Sequence, residues 1–120
     1  MRTIPRLAGL LCMTGAMCFA ATWRGASLLD ARCYDQHGKV SHVARMCAPT
    51  ASTTNFAMES ESGKIYKLDS QSNRMAEQAF ENSVIQPDRH GVYHATVTGE
   101  REQGSFVAVS SIQHGSKSVY

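Results

Sequence analysis

Two cysteines and two histidines are the residues of this chain best suited to chemistry. They lie close together in the pattern Cys33-x3-His37-x4-His42-x4-Cys47. Two thiolates and two imidazoles are a ligand set for tetrahedral zinc, and they would also suit copper. The spacing departs from that of structural zinc sites, which usually pair their ligands through two to four residues. A metal site is therefore an alternative interpretation of this segment.

The N-terminus predicts a secretory signal peptide over residues 1–20. Arg2 and Arg6 precede an apolar run that extends from Leu7 to Ala21, and small residues lead to a cleavage position after Ala20. A run of about fifteen residues is shorter than the roughly twenty that a membrane-spanning helix needs. We expect a periplasmic or secreted protein with no stable membrane anchor after cleavage. An uncleaved anchor is the alternative.

Export favours a disulfide between Cys33 and Cys47. The other two cysteines lie inside the predicted leader, so the mature chain keeps one pair. A pair of cysteines in an oxidising compartment usually bonds, and oxidation removes the thiolates that a metal ion needs. Closing a loop of about fifteen residues would stabilise the fold by roughly 3 kcal/mol. His37 and His42 are then solvated loop residues, and we expect no cofactor.

The charge of the mature chain argues against nucleic-acid binding. Without the leader, ten basic residues face ten acidic residues, whereas proteins that neutralise phosphates carry a basic excess. Single-stranded nucleic acid also needs exposed aromatic rings for stacking. Four of the aromatic residues are expected in the core: Trp23, Phe56, Tyr66 and Tyr93. We expect no nucleic-acid partner.

No motif predicts catalysis. The chain has neither a Gly-x-Ser-x-Gly elbow nor a glycine-rich phosphate loop, so we expect no catalytic residues and no enzymatic activity. His90 and His94 are predicted to lie in a turn and a strand, well separated at the surface. His94, Thr96 and Thr98 share the outward face of that strand, where they could line a shallow binding surface.

Hydrophobic periodicity predicts five strands and one helix. The strands cover residues 23–29, 55–59, 64–68, 92–98 and 105–112, and the helix covers residues 73–82 after N-cap candidates at 69–72. Bulges are expected at Gly25 and at Ser110-Ser111. Tyr93, Ala95 and Val97 are expected to face the core. Residues 30–54 are expected to be irregular and held by the disulfide.

The order β-β-β-α-β-β predicts a mainly β fold, a small OB-like five-stranded barrel. A small open sheet packed on one helix is the alternative. The barrel domain would cover residues 21–114, followed by a polar tail at 115–120.

Several short motifs resemble an uncharacterised family of small exported bacterial OB-like proteins that is common in Acidobacteria. They occur in this order: Trp23-Arg24-Gly25, Leu28-Leu29-Asp30-Ala31-Arg32-Cys33, Cys47-Ala48-Pro49-Thr50, Thr54-Asn55-Phe56-Ala57-Met58, Gly63-Lys64-Ile65-Tyr66-Lys67-Leu68-Asp69, Val97-Thr98-Gly99 and Val109-Ser110-Ser111-Ile112. The resemblance implies an exported OB-like barrel with a cysteine-bearing loop after the first strand. It supplies no catalytic residues. Family members often have Gly-Asn at the helix entrance, where this chain has Gln71-Ser72-Asn73.

These observations favour a non-enzymatic binding or structural module that contacts its partner through the barrel face or the disulfide loop. The candidate partners are another envelope protein, a glycan or a small ligand. An envelope metal-binding protein that uses Cys33, His37, His42 and Cys47 is the alternative. An accessory domain of an enzyme is a third interpretation that the sequence does not separate from the first.

Overall fold

The computed structural model describes residues 20–37 and 41–115. Five strands and three helices follow one another there: β1 (Ala21–Asp30), α1 (Ala31–His37), α2 (Val43–Met46), β2 (Phe56–Glu59), β3 (Ile65–Leu68), α3 (Ser70–Glu81), β4 (Tyr93–Arg101) and β5 (Phe106–His114). The predicted mainly β fold with five strands is confirmed. None of the helices in these residues is long and apolar enough to cross a membrane.

The five strands form one sheet whose pairings close on themselves. β1 pairs antiparallel with both β2 and β4, β2 pairs antiparallel with β3, and β4 pairs antiparallel with β5. The parallel pairing of β3 with β5 completes the order β1-β2-β3-β5-β4. Each strand therefore has hydrogen-bonded neighbours on both sides, and the sheet has an inner and an outer face.

Both predicted bulges are confirmed. β1 shifts its register against β4 at Gly25, which has a φ of +69°. β5 shifts its register against β4 at Ser110, which is the extra residue between the paired residues Val109 and Ser111. The Ser110 hydroxyl donates to the Thr98 carbonyl at 3.1 Å. A bulge adds local twist, which helps a short sheet to close.

The inner face of the sheet and α3 enclose the main core. Ala95 and Val97 are fully buried there, and Tyr93 packs against the same cluster, so the predicted face of β4 is correct. The buried members of this inner cluster are Ala26, Leu28, Phe56, Met58, Tyr66, Leu68, Ala76, Ala79, Ile85, Ala95, Val97 and Val107. Trp23 packs against the cluster but is only partly buried.

α3 begins at Ser70, three residues before the predicted start. The Asp69 carboxylate caps it by accepting the backbone N–H of Ser72 at 2.9 Å. The Ser72 hydroxyl is buried and accepts the backbone N–H of Val109 at 2.7 Å. The first turn therefore forms because its polar side chains satisfy backbone groups of the helix and of β5.

The expectation that residues 30–54 are irregular is wrong in part, because they contain α1 and α2. The Asp30 carboxylate accepts the backbone N–H groups of Arg32 and Cys33 at 2.9 and 3.1 Å, and the Thr53 hydroxyl at 2.7 Å. The predicted bond between Cys33 and Cys47 is confirmed, with their Cα atoms 5.5 Å apart. These contacts hold two short helices that have little intrinsic stability.

α1 and α2 lie on the outer face of β1 and β2 and form a second, smaller apolar cluster there. Its buried members are Leu29, Ala31, Val43, Ala44, Cys47 and Ala57. We refer to it as the outer cluster. α1 and α2, which belong to the segment that was expected to be irregular, therefore pack over part of the outer face of the sheet.

Two of the predicted segments, the leader and the C-terminal tail, lie mostly outside the described residues. The leader at 1–20 falls outside except for Ala20, which is exposed just before β1. Of the predicted tail, Gly115 is described, and it is buried with its N–H donating to the His94 carbonyl at 3.3 Å. His114 is the last residue of β5.

Candidate binding site on the outer face

A row of polar side chains borders the outer cluster. Ser27 of β1 is paired with His94 of β4 on one side and with Glu59 of β2 on the other. Directly paired residues project from the same face of a sheet, so these three side chains lie side by side. We call them the polar row. Two residues further along the strands, the pair Leu29 and Ala57 belongs to the outer cluster.

His94 is enclosed rather than solvated. Its side chain is 12% exposed, and its Nε2 atom lies 2.9 Å from Oδ2 of Asp88. Asp88 precedes β4 in a turn, where its Oδ1 atom accepts the backbone N–H groups of His90 and Val92 at 2.7 and 3.0 Å. The expectation of a surface histidine is therefore wrong for His94, because the turn folds a carboxylate against its ring.

The environment of Asp88 determines which nitrogen of His94 carries hydrogen. Burial alone would raise the pKa of the Asp88 carboxyl, but the N–H groups of Val92 and His90 and the ring of His94 together lower that pKa to about 2. The group is thus an ionised carboxylate at neutral pH, and a carboxylate can only accept hydrogen bonds. Nε2 of His94 therefore donates to it, and Nδ1 is an acceptor whenever the ring is neutral.

Two members of the polar row lack hydrogen-bond partners. Nδ1 of His94 is buried without one. The Ser27 hydroxyl forms no hydrogen bond with any group in residues 20–37 and 41–115 either, but unlike Nδ1 it keeps some contact with solvent. Most buried polar groups in proteins are paired, and an unpaired one costs about 1–3 kcal/mol. The polar row therefore retains hydrogen-bonding capacity.

Two clefts of similar size flank the polar row. One has a volume of about 360 Å³ and is lined by His42, Arg45, Asp88 and His90 in addition to the row. The other, of about 370 Å³, is lined by the row together with Gly25, Ser60, Glu61 and Gly63. His90 and His94 both line the first of these clefts.

A third and larger cleft begins at Glu59 and extends over the β2–β3 hairpin. It has a volume of about 540 Å³, and its lining includes Tyr34 from α1, Ile65 from β3 and Ser105 from the β4–β5 turn. Because Glu59 borders all three clefts, the polar row is continuous with this larger surface.

The predicted binding face of β4 contributes only one residue to these clefts. His94 lines two of them, whereas Thr96 and Thr98 line none of the three. The Thr98 hydroxyl lies 3.3 Å from that of Thr22 on β1. The site therefore runs across the strands rather than along β4.

The predicted metal ligands are not brought together as a set. Cys33 and Cys47 are bonded to each other, His37 is exposed at the end of α1, and His42 borders the 360 Å³ cleft. Among the described residues, no group of three or more His, Cys, Asp or Glu side chains could hold a metal ion. The metal alternative requires the reduced cysteines and stays a prediction for the reduced protein.

Sequence reasoning missed Ser27, Glu59 and Asp88. Ser27 and Glu59 join the site through strand register, which hydrophobic alternation does not specify for a closed sheet. Asp88 followed by two residues and a glycine is a turn signal, and its acceptance of two backbone N–H groups is typical of such a turn. That signal predicts the turn but not the contact with His94.

The site also brings together a serine, a histidine and an aspartate, without the contact that nucleophilic catalysis needs. The Ser27 hydroxyl is not hydrogen-bonded to His94, whose Nδ1 atom has no partner. An activated nucleophile requires its base within hydrogen-bond reach.

No family model, curated protein or solved structure matches this chain. The function must therefore be inferred from the site itself.

Proposed function

We propose that this chain is an exported, non-enzymatic binding module of OB-like fold whose polar row holds a small polar ligand. The observation that carries the proposal is the polar row of Ser27, Glu59 and His94, which lines two clefts and includes a buried nitrogen, Nδ1 of His94, without a hydrogen-bond partner in the described part of the chain. A polar ligand that enters either cleft would meet the side chains of Ser27 and Glu59. Export rests on the predicted leader.

The order of the elements supports the OB-like assignment. An OB-fold is a five-stranded Greek-key barrel whose ligands bind over strands two and three, between the loop that follows strand one and the loop between strands four and five. Here the third cleft lies over the β2–β3 hairpin and is lined by Tyr34 on one side and Ser105 on the other. Glu59 links that cleft to the polar row, so the proposed site adjoins the surface that OB-folds use.

The chemistry of the polar row favours a small ligand over a nucleic acid. Glu59 and Asp88 are acidic, and Arg45 is the one Lys or Arg side chain that lines either flanking cleft. A polyanion would meet these carboxylates at close range, which is unfavourable. A glycan end or a polar group of an envelope protein remains compatible with the same donors and acceptors.

The proposal is tested by NMR on the ¹⁵N-labelled protein exported with its own leader. A panel of small sugars, amines, alcohols and carboxylates is titrated, and backbone amide shifts are followed. We expect at least one class to perturb Ser27, Glu59 and His94 together. Ser27→Ala should weaken that binding about tenfold, because it removes a hydroxyl partner. Ser70→Ala, at an exposed position on α3, is the matched control.

Two results would contradict the proposal. The first is a panel in which every perturbation lies away from the polar row. The second is turnover of an ester or peptide substrate that is abolished by His94→Ala, which would replace a binding module by a hydrolase.

A further inference from the structure

Four side chains meet around one aromatic ring at an end of the closed sheet. α3 joins β3 to β4, so it lies at the end where β3 stops and β4 begins. At the opposite end β1 and β3 begin and β4 stops, and this end carries Trp23, Lys64, Tyr66 and Arg101. We call these four residues the Tyr66 cluster. None of them lines either of the clefts that flank the polar row.

The ring of Tyr66 is the centre of this cluster. Its centroid lies 5.4 Å from the centroid of the Trp23 ring, 5.4 Å from Nζ of Lys64 and 6.0 Å from Cζ of Arg101. Both cations are therefore within the range of a cation–π contact with the same ring. Tyr66 is part of the inner cluster and Trp23 packs against it, so the ring is fixed by the core. Two positive charges thus share one rigid support.

The described part of the chain does not neutralise these two charges. The ion pairs found there join Lys67 to Asp35 and His94 to Asp88, and neither includes a cation of the Tyr66 cluster. Like charges held close together repel each other, and the repulsion is relieved when an anion binds near both of them. The cluster therefore has an unmet preference for a negative charge.

Tyr66 adds an unused hydrogen-bonding group beside the cations. Its side chain is only 7% exposed, and its hydroxyl forms no hydrogen bond with any group in residues 20–37 and 41–115. In these residues, Nδ1 of His94 is the one fully enclosed side-chain atom without a partner, so the Tyr66 hydroxyl reaches the surface. The indole N–H of Trp23 also lacks a partner there and reaches the surface in the same way. All four side chains of the cluster can donate hydrogen bonds.

The neighbouring turns limit the charge of a ligand that the cluster would accept. Glu61 lies in the β2–β3 turn and Glu102 in the β4–β5 turn, and neither forms an ion pair with the cluster. Their carboxylates would repel an extended polyanion. A single carboxylate between the two cations would be attracted at short range, because charge-assisted hydrogen bonds are stronger than neutral ones.

We infer that the Tyr66 cluster binds the carboxylate group of a small ligand. A carboxylate has two oxygens that only accept hydrogen bonds, which complements a site made of donors. Arg101 and Lys64 supply the positive charge, and the Tyr66 hydroxyl and the Trp23 indole N–H supply further donors. An ammonium ligand would instead meet two like charges. This site is separate from the polar row and does not depend on the proposed function.

Four small probes test the inference at pH 7 and fixed ionic strength: butyrate, butyramide, propylammonium and inorganic phosphate. The readout is the indole ¹H–¹⁵N signal of Trp23 in the full exported protein, which is unambiguous because the chain has one tryptophan. We expect butyrate to move this signal in a saturable way. Butyramide and propylammonium should leave it unchanged, because the first has no charge and the second has the wrong sign.

The variants Lys64→Gln and Arg101→Gln should each weaken butyrate binding at least tenfold, because each removes one charge-assisted hydrogen bond. Both side chains are exposed, so the fold should persist. Tyr66→Phe keeps the buried ring and should weaken the binding severalfold through the loss of its hydroxyl. Arg74→Gln is the matched control, since Arg74 is exposed on α3 and its loss changes the net charge by the same amount.

Three results would overturn the inference. One is an equal loss of butyrate binding in Arg74→Gln, which would mean nonspecific attraction. Another is a Trp23 signal that butyrate does not move, or that propylammonium or phosphate moves in its place. The third is a loss of butyrate binding in Ser27→Ala, which would place the carboxylate at the polar row and leave the proposed function standing.

Discussion

The inner and outer faces of the sheet use the same strands in different ways. On the inner face, all the residues of the cluster are apolar and α3 closes the core, as the burial of Leu28 and Val97 shows. On the outer face, β1 passes from Leu29 beneath the disulfide-linked helices to Ser27 beside the clefts. Alternation alone therefore does not determine whether a position on a strand face is buried in a cluster or lines a cleft. That depends on which element packs over the position.

The contrast shows that the candidate site lies at the edge of the outer cluster, where α1 and α2 stop covering the sheet. The outer cluster borders the polar row, which helps to explain how Ser27 and His94 are enclosed on an outer face. The two clefts that flank the row leave it accessible. An enclosed polar group beside an opening discriminates between ligands more strongly than a fully solvated one, because leaving it unpaired is costly.

The largest expected effect is the loss of folding when a charge is placed in the core on the inner face of the sheet. Val97→Asp should prevent folding, because an unpaired carboxylate at a fully buried position costs as much as the roughly 5–15 kcal/mol that stabilises a domain. Far-ultraviolet circular dichroism and soluble yield measure the outcome. Thr96→Asp, one residue away on the outer face, should fold. A folded Val97→Asp protein would mean that the faces of β4 are inverted.

The next largest effect is the loss of stability when the disulfide that links α1 and α2 is removed from the outer face. Cys33→Ser should lower the free energy of unfolding by about 2–5 kcal/mol, the usual cost of losing a native disulfide in a small secreted domain. Thermal unfolding with and without reductant measures it. The Cys33→Ser/Cys47→Ser double variant should resemble the single one and be insensitive to reductant. A wild-type Tm that reductant leaves unchanged would contradict the prediction.

A smaller effect links the Asp88 turn to pH. The folded pKa of Asp88, about 2, lies below the ordinary value of 3.8, so ionised Asp88 favours the folded state. This contribution is complete above about pH 5 and is lost as the pH falls through 3.8 towards 2. Solvent screening of this partly exposed carboxylate limits its size to about 1 kcal/mol.

Urea unfolding at several pH values between 7 and 2 measures the Asp88 contribution. Asp88→Asn should lose less stability than the wild type over that range, whereas Glu81→Gln, at an exposed position on α3, should follow the wild type. Parallel pH profiles for Asp88→Asn and the wild type would show that the turn carboxylate does not couple protonation to folding.

The smallest effect concerns the part of the outer face that lies beyond the clefts. Thr98→Val removes one hydroxyl that faces Thr22 and should change stability by no more than about 0.5 kcal/mol. It should also leave ligand binding unchanged, in contrast to Ser27→Ala. A tenfold loss of binding in Thr98→Val would extend the site along β4, as the sequence alone had predicted.

The sequence predicted those features of the fold that depend on a local pattern of residues. It did not predict those that depend on contacts between residues far apart in the sequence. The inward face of Val97 and the bulge at Gly25 followed from alternation and from one glycine. α1 and α2 could not be predicted, because they depend on the Asp30 carboxylate and on packing against Leu29. The disulfide followed from cysteine count and the predicted leader.

The candidate site was less predictable than the fold. His94 was selected for its strand face, but its partner Asp88 reaches it only through the turn that precedes β4. Ser27 and Glu59 meet it through the register of three strands that are far apart in the sequence. Such contacts depend on the closed sheet as a whole, so no local pattern encodes them.

The parallel link between β3 and β5 is the shortest strand pairing of the closed sheet. Only two residue pairs form it, Lys67 with Phe106 and Leu68 with Val107, next to a backbone bond from the Lys67 N–H to Ser105. Opening there would convert β3 and β5 into edge strands whose unpaired backbone groups template pairing with another chain. We therefore expect aggregation to begin with the loss of this pairing, and amide hydrogen exchange at Lys67 would report its opening.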